Sequence, residues 1–280
     1  MQRSHRSPAT VSVVRLALAL VCFALTGGAC ATRAPFAGAR DANADAPRDP
    51  SVPRAVGGGT AGYADAGNDA SRTGTGCGVR VLVVFDRSLS MAEPWTSSGP
   101  KWEVAETSLA EALAPHASQL VVGALLFPTS ETPTPSASCA PVDGLASQFP
   151  YEACSAFLAR WSAAWSTPDL RGTTPIDSAF DAADAALAGA GAGTAVVLLT
   201  DGEPTCDGPV PAATRAASWR ARGIRTWVVG LPGSSAGASY LSAIASAGGT
   251  DAPLTVDDPS ALGTALSHIA TSEISSQCGP

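Results

Sequence analysis

Short apolar runs recur along the chain beyond residue 77. They consist mostly of valine, leucine, isoleucine and alanine, and turn-forming or polar residues follow them. Continuous apolar runs of this length are typical of strands that are buried on both faces of a sheet. The predicted strands are 79–85, 119–127, 194–200, 224–230 and the short 254–256.

Alanine-rich segments with a helical spacing of apolar side chains separate these runs. Phe157, Leu158, Trp161 and Trp165 form one such stripe. Residues 128–150, rich in Pro, Ser and Thr, are predicted to be a long exposed loop. The predicted helices are 101–114, 152–165, one that begins at Pro175, 211–222, 237–247 and 259–273. This alternation indicates an α/β fold, a Rossmann-like three-layer sandwich with helices on both faces of a mostly parallel sheet.

Residues 1–30 have the pattern of a bacterial export signal. Arginines flank an apolar stretch of ten residues, 16–25, which is too short for a membrane-spanning helix because that needs about 20 residues. The small residues before Cys30 resemble a lipoprotein signal, in which this cysteine would be lipidated. Ordinary cleavage after Ala31 is the alternative. We expect an exported protein of the bacterial envelope (an outer-membrane lipoprotein or a periplasmic protein) or a secreted one.

Residues 31–76 are predicted to be a flexible linker, and 77–278 a single folded domain. The linker is rich in Ala, Gly and Pro and has few large apolar side chains, so it cannot offset the entropy cost of becoming ordered. The roughly 200 residues that follow suit one α/β domain. No later segment is long and apolar enough to predict a membrane-spanning helix, which leaves a lipid at Cys30 as the predicted route to a membrane.

The cysteines beyond the signal predict disulfides, since an exported protein meets an oxidising compartment. Cys77 and Cys278 bracket the domain, and we expect them to pair because domain termini often lie close together. The pairing among Cys139, Cys154 and Cys206 stays open. No Cys-x-x-Cys spacing occurs, which argues against structural zinc.

The charge of the chain argues against nucleic acid as a partner. The formal charge is −7, and loss of the three arginines of the signal leaves 14 basic against 24 acidic residues, or −10. Only one lysine, Lys101, is present. Such a chain has no basic surface for phosphates or anionic lipids, whereas its acidity favours solubility and attraction for cations.

Oxygen-bearing side chains follow two of the predicted strands. Asp86 comes directly after strand 79–85, with Ser88 and Ser90 at alternate positions beyond it, and Asp201 comes directly after the run 194–200. The carboxyl ends of parallel strands meet at one edge of a sheet, where open α/β sheets bind ligands. Carboxylate and hydroxyl oxygens are the ligands that hard cations such as Mg2+ prefer. The sequence therefore predicts a divalent-cation site at this edge.

Three segments in this order resemble the von Willebrand factor type A domain. They are Asp86-Arg-Ser-Leu-Ser-Met91, Gly172-Thr-Thr-Pro175 and Thr200-Asp-Gly-Glu-Pro204, and the resemblance covers roughly 77–275. Leu89 and Thr173 stand where the family usually has glycine, but neither change removes an oxygen donor.

The resemblance implies a metal-ion-dependent adhesion site. Its ligands would be Asp86, Ser88, Ser90, Thr174 and Asp201. The expected ion is Mg2+, with Mn2+ or Ca2+ as substitutes, and the open position would take an Asp or Glu carboxylate of a protein partner. The expected function is cation-dependent, adhesion-type protein binding in the bacterial envelope, without enzymatic activity.

Two other functions are considered. One is an envelope scaffold whose metal only stabilises the fold. The other is a serine hydrolase, since Gly233-Ser-Ser-Ala-Gly237 matches a nucleophile elbow around Ser235, and Asp257 and His268 follow in hydrolase order. Against the hydrolase, Leu231-Pro232 separates the preceding strand from the turn. His268 also falls in the periodic last helix.

Overall fold

The apolar runs form the strands of one central sheet. The computed structural model describes residues 78–279, except 96, 98, 130–139 and 207. The strands are β1 (Val79–Asp86), β2 (Leu120–Phe127), β3 (Phe149–Ala153), β4 (Thr194–Thr200), β5 (Arg225–Gly230) and β6 (Leu254–Thr255). Their order across the sheet is β3-β2-β1-β4-β5-β6, and β3 alone runs antiparallel to its neighbour. The predicted signal, Cys30, the linker, Cys77 and Cys139 lie outside the described residues.

Helices cover both faces of the sheet. They are α1 (Lys101–Leu113), α2 (Cys154–Ala164), α3 (Ile176–Ala186), α4 (Ala212–Ala221), α5 (Ala238–Gly248) and α6 (Pro259–Cys278). Successive side chains of a strand point to opposite faces, so Val81, Val83 and Phe85 join one core, with α1, α2 and α6. Leu82 and Val84 join the other, with α3, α4 and α5. The predicted three-layer α/β architecture is confirmed. None of the described helices is long and apolar enough to cross a membrane.

Two elements differ from the sequence-based expectation. Strand β3 lies where a loop and the start of a helix were expected. It contains Pro150, which an edge strand tolerates because one side of its backbone needs no partner. Helix α6 continues to Cys278 rather than ending at residue 273. In its last turns, the buried carboxylate of Glu273 accepts a hydrogen bond from the Trp227 indole at 2.6 Å and pairs with Arg225 at 3.0 Å.

The cysteines of the described region have different states. Cys206 and Cys278 are disulfide-bonded, whereas Cys154 is a buried free thiol. Burial raises the pKa of Cys154 to about 11, which keeps the thiol protonated and unreactive. Cys154 is therefore not the partner of Cys206. The pairing of Cys77 with Cys278 stays a prediction.

Strand register brings the carboxyl ends of three neighbouring strands together. In the parallel pair of β1 and β4, Phe85 lies opposite Leu199. In the pair of β1 and β2, Asp86 lies opposite Phe127. The connection after β1 leads to β2 on one side, whereas the connection after β4 leads to β5 on the other, so the strand order reverses at this edge. A crevice at such a reversal is where open α/β sheets bind ligands.

We predict that Phe180→Ala lowers the free energy of unfolding by about 3–5 kcal/mol, because its fully buried ring would leave a cavity. The Phe180 ring stacks on Trp219 with centroids 5.0 Å apart. Denaturant unfolding in chelator measures the loss. The control is Leu89→Ala, which removes a side chain that is 58% exposed and should change stability by less than about 0.5 kcal/mol. Similar losses in both variants would contradict this assignment of the core.

Candidate functional site

A fully buried carboxylate stands at the end of β1. Oδ1 of Asp86 accepts a hydrogen bond from the backbone N–H of Ser88 at 2.8 Å, which fixes the turn out of the strand. Oδ2 accepts one from the Thr200 hydroxyl at 2.5 Å. Because β1 and β4 are paired neighbours, Thr200 reaches Asp86 directly across the sheet. The Asp86 carboxylate therefore ties the loop after β1 (the first loop), which carries Ser88 and Ser90, to the end of β4.

Two serine hydroxyls continue the network towards Asp201. Ser90 Oγ donates to Asp201 Oδ1 at 2.7 Å, and the Ser88 and Ser90 hydroxyl oxygens are 3.0 Å apart. A hydroxyl has one proton, so Ser88 donates to Ser90 in this arrangement. A short 3-10 turn, Leu89–Ala92, places the two serines side by side. Leu89 itself is exposed, which explains how a large residue is accommodated where the type A motif usually has glycine.

A buried lysine completes the environment of Asp201. Nζ of Lys101, the first residue of α1, donates to Asp201 Oδ2 at 2.7 Å and to Glu93 Oε2 at 2.8 Å. Burial alone would lower the pKa of Lys101, but its bonds to Asp201 and Glu93 outweigh burial and raise the pKa. Sequence reasoning gave Lys101 no role. Two features of the sequence could have drawn attention to it: Lys101 is the only lysine of the chain, and it lies in a predicted helix that follows the first motif.

The second loop, which precedes α3 and carries Arg171 and Thr174, approaches the first loop through its backbone. Ser88 and Arg171 form a parallel β-bridge, and the Arg171 N–H donates to the Arg87 carbonyl at 2.9 Å. Thr174 is buried, and its N–H donates to the Thr205 hydroxyl at 2.9 Å. Among the described residues, the hydrogen bonds of Thr174 run through its main chain. Its proposed role as a ligand therefore stays a prediction, whereas the other four residues form one hydrogen-bonded network.

The third loop, which follows β4 and begins with Asp201, is held by a residue of α3. The buried carboxylate of Asp177 accepts hydrogen bonds from the N–H groups of Gly208 at 3.0 Å and Ala212 at 2.7 Å, and from the Tyr240 hydroxyl at 2.5 Å. A Cβ at Gly208 would lie 2.3 Å from the Asp177 Cβ, so this close approach requires glycine. The loop after Asp201 is thereby held against the domain.

Asp86 has no cationic hydrogen-bond partner among the described residues. Burial raises its pKa to about 7; the Thr200 hydrogen bond opposes this shift, while the negative charge of Asp201 adds to it. Lys101 neutralises Asp201 but makes no hydrogen bond to Asp86 among the described residues. A cation beside the two serines would stabilise the ionised form of Asp86.

The residue types fit a hard divalent cation. Each serine oxygen keeps lone pairs after its hydrogen bonds, and two carboxylates adjoin the hydroxyls. No group of three or more His, Cys, Asp or Glu side chains suited to a metal is found in the part of the chain that the structure describes. Hydroxyl oxygens supply most of the predicted ligands, so a site of this kind does not depend on such a group.

The residues of the hydrolase hypothesis have other surroundings. Ser235 is exposed in a 3-10 turn, Ser234–Gly237. The His268 ring contacts Trp227 edge-on, with centroids 5.9 Å apart, and its Nε2 lies 3.5 Å from the Ser272 hydroxyl. Among the described residues, His268 has no hydrogen bond to Ser235. The geometry gives no support to a Ser-His mechanism.

Solved structures with the same fold come from bacteria and from a mussel. No family model and no curated protein matches the chain. The minor pilin PilB of Streptococcus sanguinis is 16% identical, with a TM-score of 0.52, over 73% of this chain and 64% of the pilin, so the chain spans less than two thirds of that protein. BatB of Bacteroides thetaiotaomicron is 20% identical, with a TM-score of 0.52, over 72% of this chain and all (100%) of BatB.

The third structure is proximal thread matrix protein 1 from the mussel byssus, with a zinc-occupied metal-ion-dependent adhesion site. It is 16% identical, with a TM-score of 0.51, over 70% of this chain and 45% of its own. Identities this low show a shared fold alone. The type A-like architecture expected from the motifs is thus supported, while the function of this chain is argued from its own residues.

We predict that the metal-free protein loses stability as pH rises from about 4 to about 7 because the pKa of Asp86 is raised on folding. The Asp86 contribution is fully present below the unfolded pKa of 3.8 and is lost as pH passes through the folded value of about 7. The loss is at most about 4 kcal/mol, since one pKa unit corresponds to about 1.4 kcal/mol.

The measurement is denaturant unfolding in chelator across this pH range. Asp86→Asn, which cannot ionise, should show a smaller decline than the wild type. Identical pH dependence in the two proteins would rule out Asp86 as the source.

Proposed function

We propose that this domain binds a divalent cation at the edge of its sheet and uses it to hold an acidic group of a protein partner. The proposed ligands are Asp86, Ser88, Ser90, Thr174 and Asp201. The observation that carries the proposal is the network in which the Ser90 hydroxyl bonds both Asp201, at 2.7 Å, and Ser88, at 3.0 Å. Residues more than 100 positions apart meet there through their oxygen atoms.

The roles of the residues follow from their contacts. Asp86 fixes the first loop through its bond to the Ser88 N–H, and its buried carboxylate would supply negative charge to a bound cation. Ser88 and Ser90 supply neutral oxygens, which leave a bound ion electron-poor enough to take one further carboxylate. Asp201 orients the Ser90 hydroxyl. When bound, the cation supplies the positive charge that an acidic partner group requires.

The expected ion is Mg2+, because few charged ligands and a compact loop suit a small octahedral ion. Mn2+ and Ca2+ are the alternatives. The zinc-occupied adhesion site of the byssus protein supports a divalent cation in this fold, though not the identity of the ion here.

The surroundings of the site suit an acidic partner with an apolar neighbour. Arg87 belongs to the first loop and Arg171 lies beside it. Asp169 offsets part of their charge through ion pairs at 3.5 Å and 2.5 Å. Local positive charge favours an incoming carboxylate even on an acidic protein. Leu89, between the two serines, is the one large apolar side chain that is strongly exposed in the described part. It would contact the partner next to the metal.

The N-terminal segments set where this binding takes place. We propose that residues 1–30 direct export to the bacterial envelope or the outside. Lipidation of Cys30 would tether the domain to a membrane, and cleavage after Ala31 would release it. In either case residues 31–76 would give the domain reach, roughly 40 Å if the segment behaves as a Gly-rich coil.

A second function, a structural envelope scaffold, is favoured by one observation. Lys101 already neutralises Asp201 at 2.7 Å, so the site is partly compensated before any metal binds. In that case the metal, if bound, would stabilise the fold without joining it to a partner. Partner capture that persists in chelator would support the scaffold.

We predict that millimolar Mg2+ or Mn2+ raises the thermal stability of the metal-free protein, since binding to the folded state alone stabilises it. At a metal concentration of about 100 times Kd the gain is about 2.7 kcal/mol. Asp86→Ala and Ser90→Ala should abolish the shift. Glu111→Ala, an exposed acidic residue of α1, is the control and should keep it. An unchanged melting temperature in the wild type, or a shift that persists in Asp86→Ala, would contradict the proposed metal site.

The same variants test partner binding. Capture of an envelope protein by the wild type should be lost in chelator and in Asp86→Ala, and should return when Mg2+ is restored to the wild type. Leu89→Ala should weaken capture without changing the metal-dependent melting shift. Capture that is indifferent to chelator contradicts metal-bridged binding.

A further inference from the structure

Lys101 occupies a position that is unfavourable for a lysine in two respects. It is the first residue of α1, where the helix dipole is positive and disfavours a cation. Its side chain is also only 5% exposed, and lysine is almost never buried without a partner. Local helix preference therefore does not account for this residue. Its two carboxylate partners do.

Residues from several separate segments of the chain contact Lys101. Nζ bonds Asp201 Oδ2 at 2.7 Å and Glu93 Oε2 at 2.8 Å, and the Lys101 N–H donates to the Glu93 carbonyl at 3.0 Å. Gly233, with a φ of +109°, covers the ammonium from the loop after β5. A Cβ there would lie 3.4 Å from Nζ and 2.7 Å from the Asp201 carbonyl oxygen. The glycine lets the chain close over this ion pair.

The two oxygens of Asp201 are divided between the lysine and the proposed metal site. Oδ2 is bound by Lys101, and Oδ1 accepts from Ser90. Lys101 thus fixes the rotation of the carboxylate so that one oxygen faces the serines. It also removes about one unit of negative charge from a site whose attraction for a dication depends on that charge.

We propose that Lys101 is a built-in counter-ion of this site, which holds Asp201 in position without metal and weakens metal binding. The inference rests on the proposed cation site. Lys101 is a positioning residue rather than a ligand. Its partner Glu93, whose side chain is 67% exposed, acts in the opposite sense by restoring some negative charge next to the ammonium.

The test measures the dissociation constant for Mn2+ by titration calorimetry and the melting temperature in chelator. Lys101→Gln, which keeps a hydrogen-bond donor for Asp201 but removes the charge, should bind Mn2+ about tenfold more tightly or better. It should also melt several degrees lower than the wild type in chelator. Glu93→Gln leaves the Lys101–Asp201 pair intact and should bind Mn2+ more weakly.

Opposite changes in affinity distinguish a counter-ion from a purely structural lysine, whose loss would weaken metal binding. If the wild type binds Mn2+ and Lys101→Gln binds it no more tightly, the counter-ion role is overturned and the proposed function stands. Should Lys101→Gln not fold, unchanged or tighter binding by Glu93→Gln overturns the role in its place. If neither the wild type nor Lys101→Gln binds Mn2+, both proposals are contradicted. Binding by Lys101→Gln alone supports the counter-ion role and contradicts the proposed function, because the ammonium then excludes the ion from the wild type.

Discussion

Parallel pairing of β1 with β4 brings two buried carboxylates, Asp86 and Asp201, close together. The contacts around them compensate the cost of burying like charges. Asp86 is wholly buried and Asp201 nearly so. Asp86 is satisfied by the neighbouring Ser88 N–H and by Thr200 from the end of β4. Asp201 is satisfied by Ser90 and Lys101, which lie about a hundred residues away along the chain. Buried charge of one sign is costly unless it is compensated, so the loops close on the carboxylates rather than splaying apart.

The negative charges of Asp86 and Asp201 are compensated to different extents, and this difference is what suggests a cation site. Asp201 has a full positive partner in Lys101, whereas Asp86 has only hydrogen-bond donors and a raised pKa. The carboxylate of Asp86, which lacks a cationic partner among the described residues, lies beside the hydroxyl oxygens of Ser88 and Ser90. At neutral pH a small dication would stabilise this carboxylate better than a proton does, since it also attracts the hydroxyl dipoles. An empty coordination position would then connect the domain to an acidic partner.

The sequence predicted those parts of the fold that follow from local pattern. Long apolar runs predicted β1, β2, β4 and β5, and the oxygens after β1 and β4 indicated where a site would form. Strand β3 was missed because five residues with a proline carry little strand signal, and pairing with β2 decides its state. The bonds of Lys101 to Asp201 and of Thr200 to Asp86 could not be predicted from local pattern, since these carboxylates lie about a hundred residues away along the chain.

The central claim is that Ser88, Ser90 and Asp201 surround one cation. A crystal of the protein grown with Mn2+, with anomalous scattering recorded at the manganese edge, tests it most directly. The account predicts one strong peak within bonding distance of the Ser88 and Ser90 hydroxyl oxygens, about 2.0–2.6 Å for hard cations and oxygen. A peak bound elsewhere, or no peak while the serine and aspartate network persists, would contradict it.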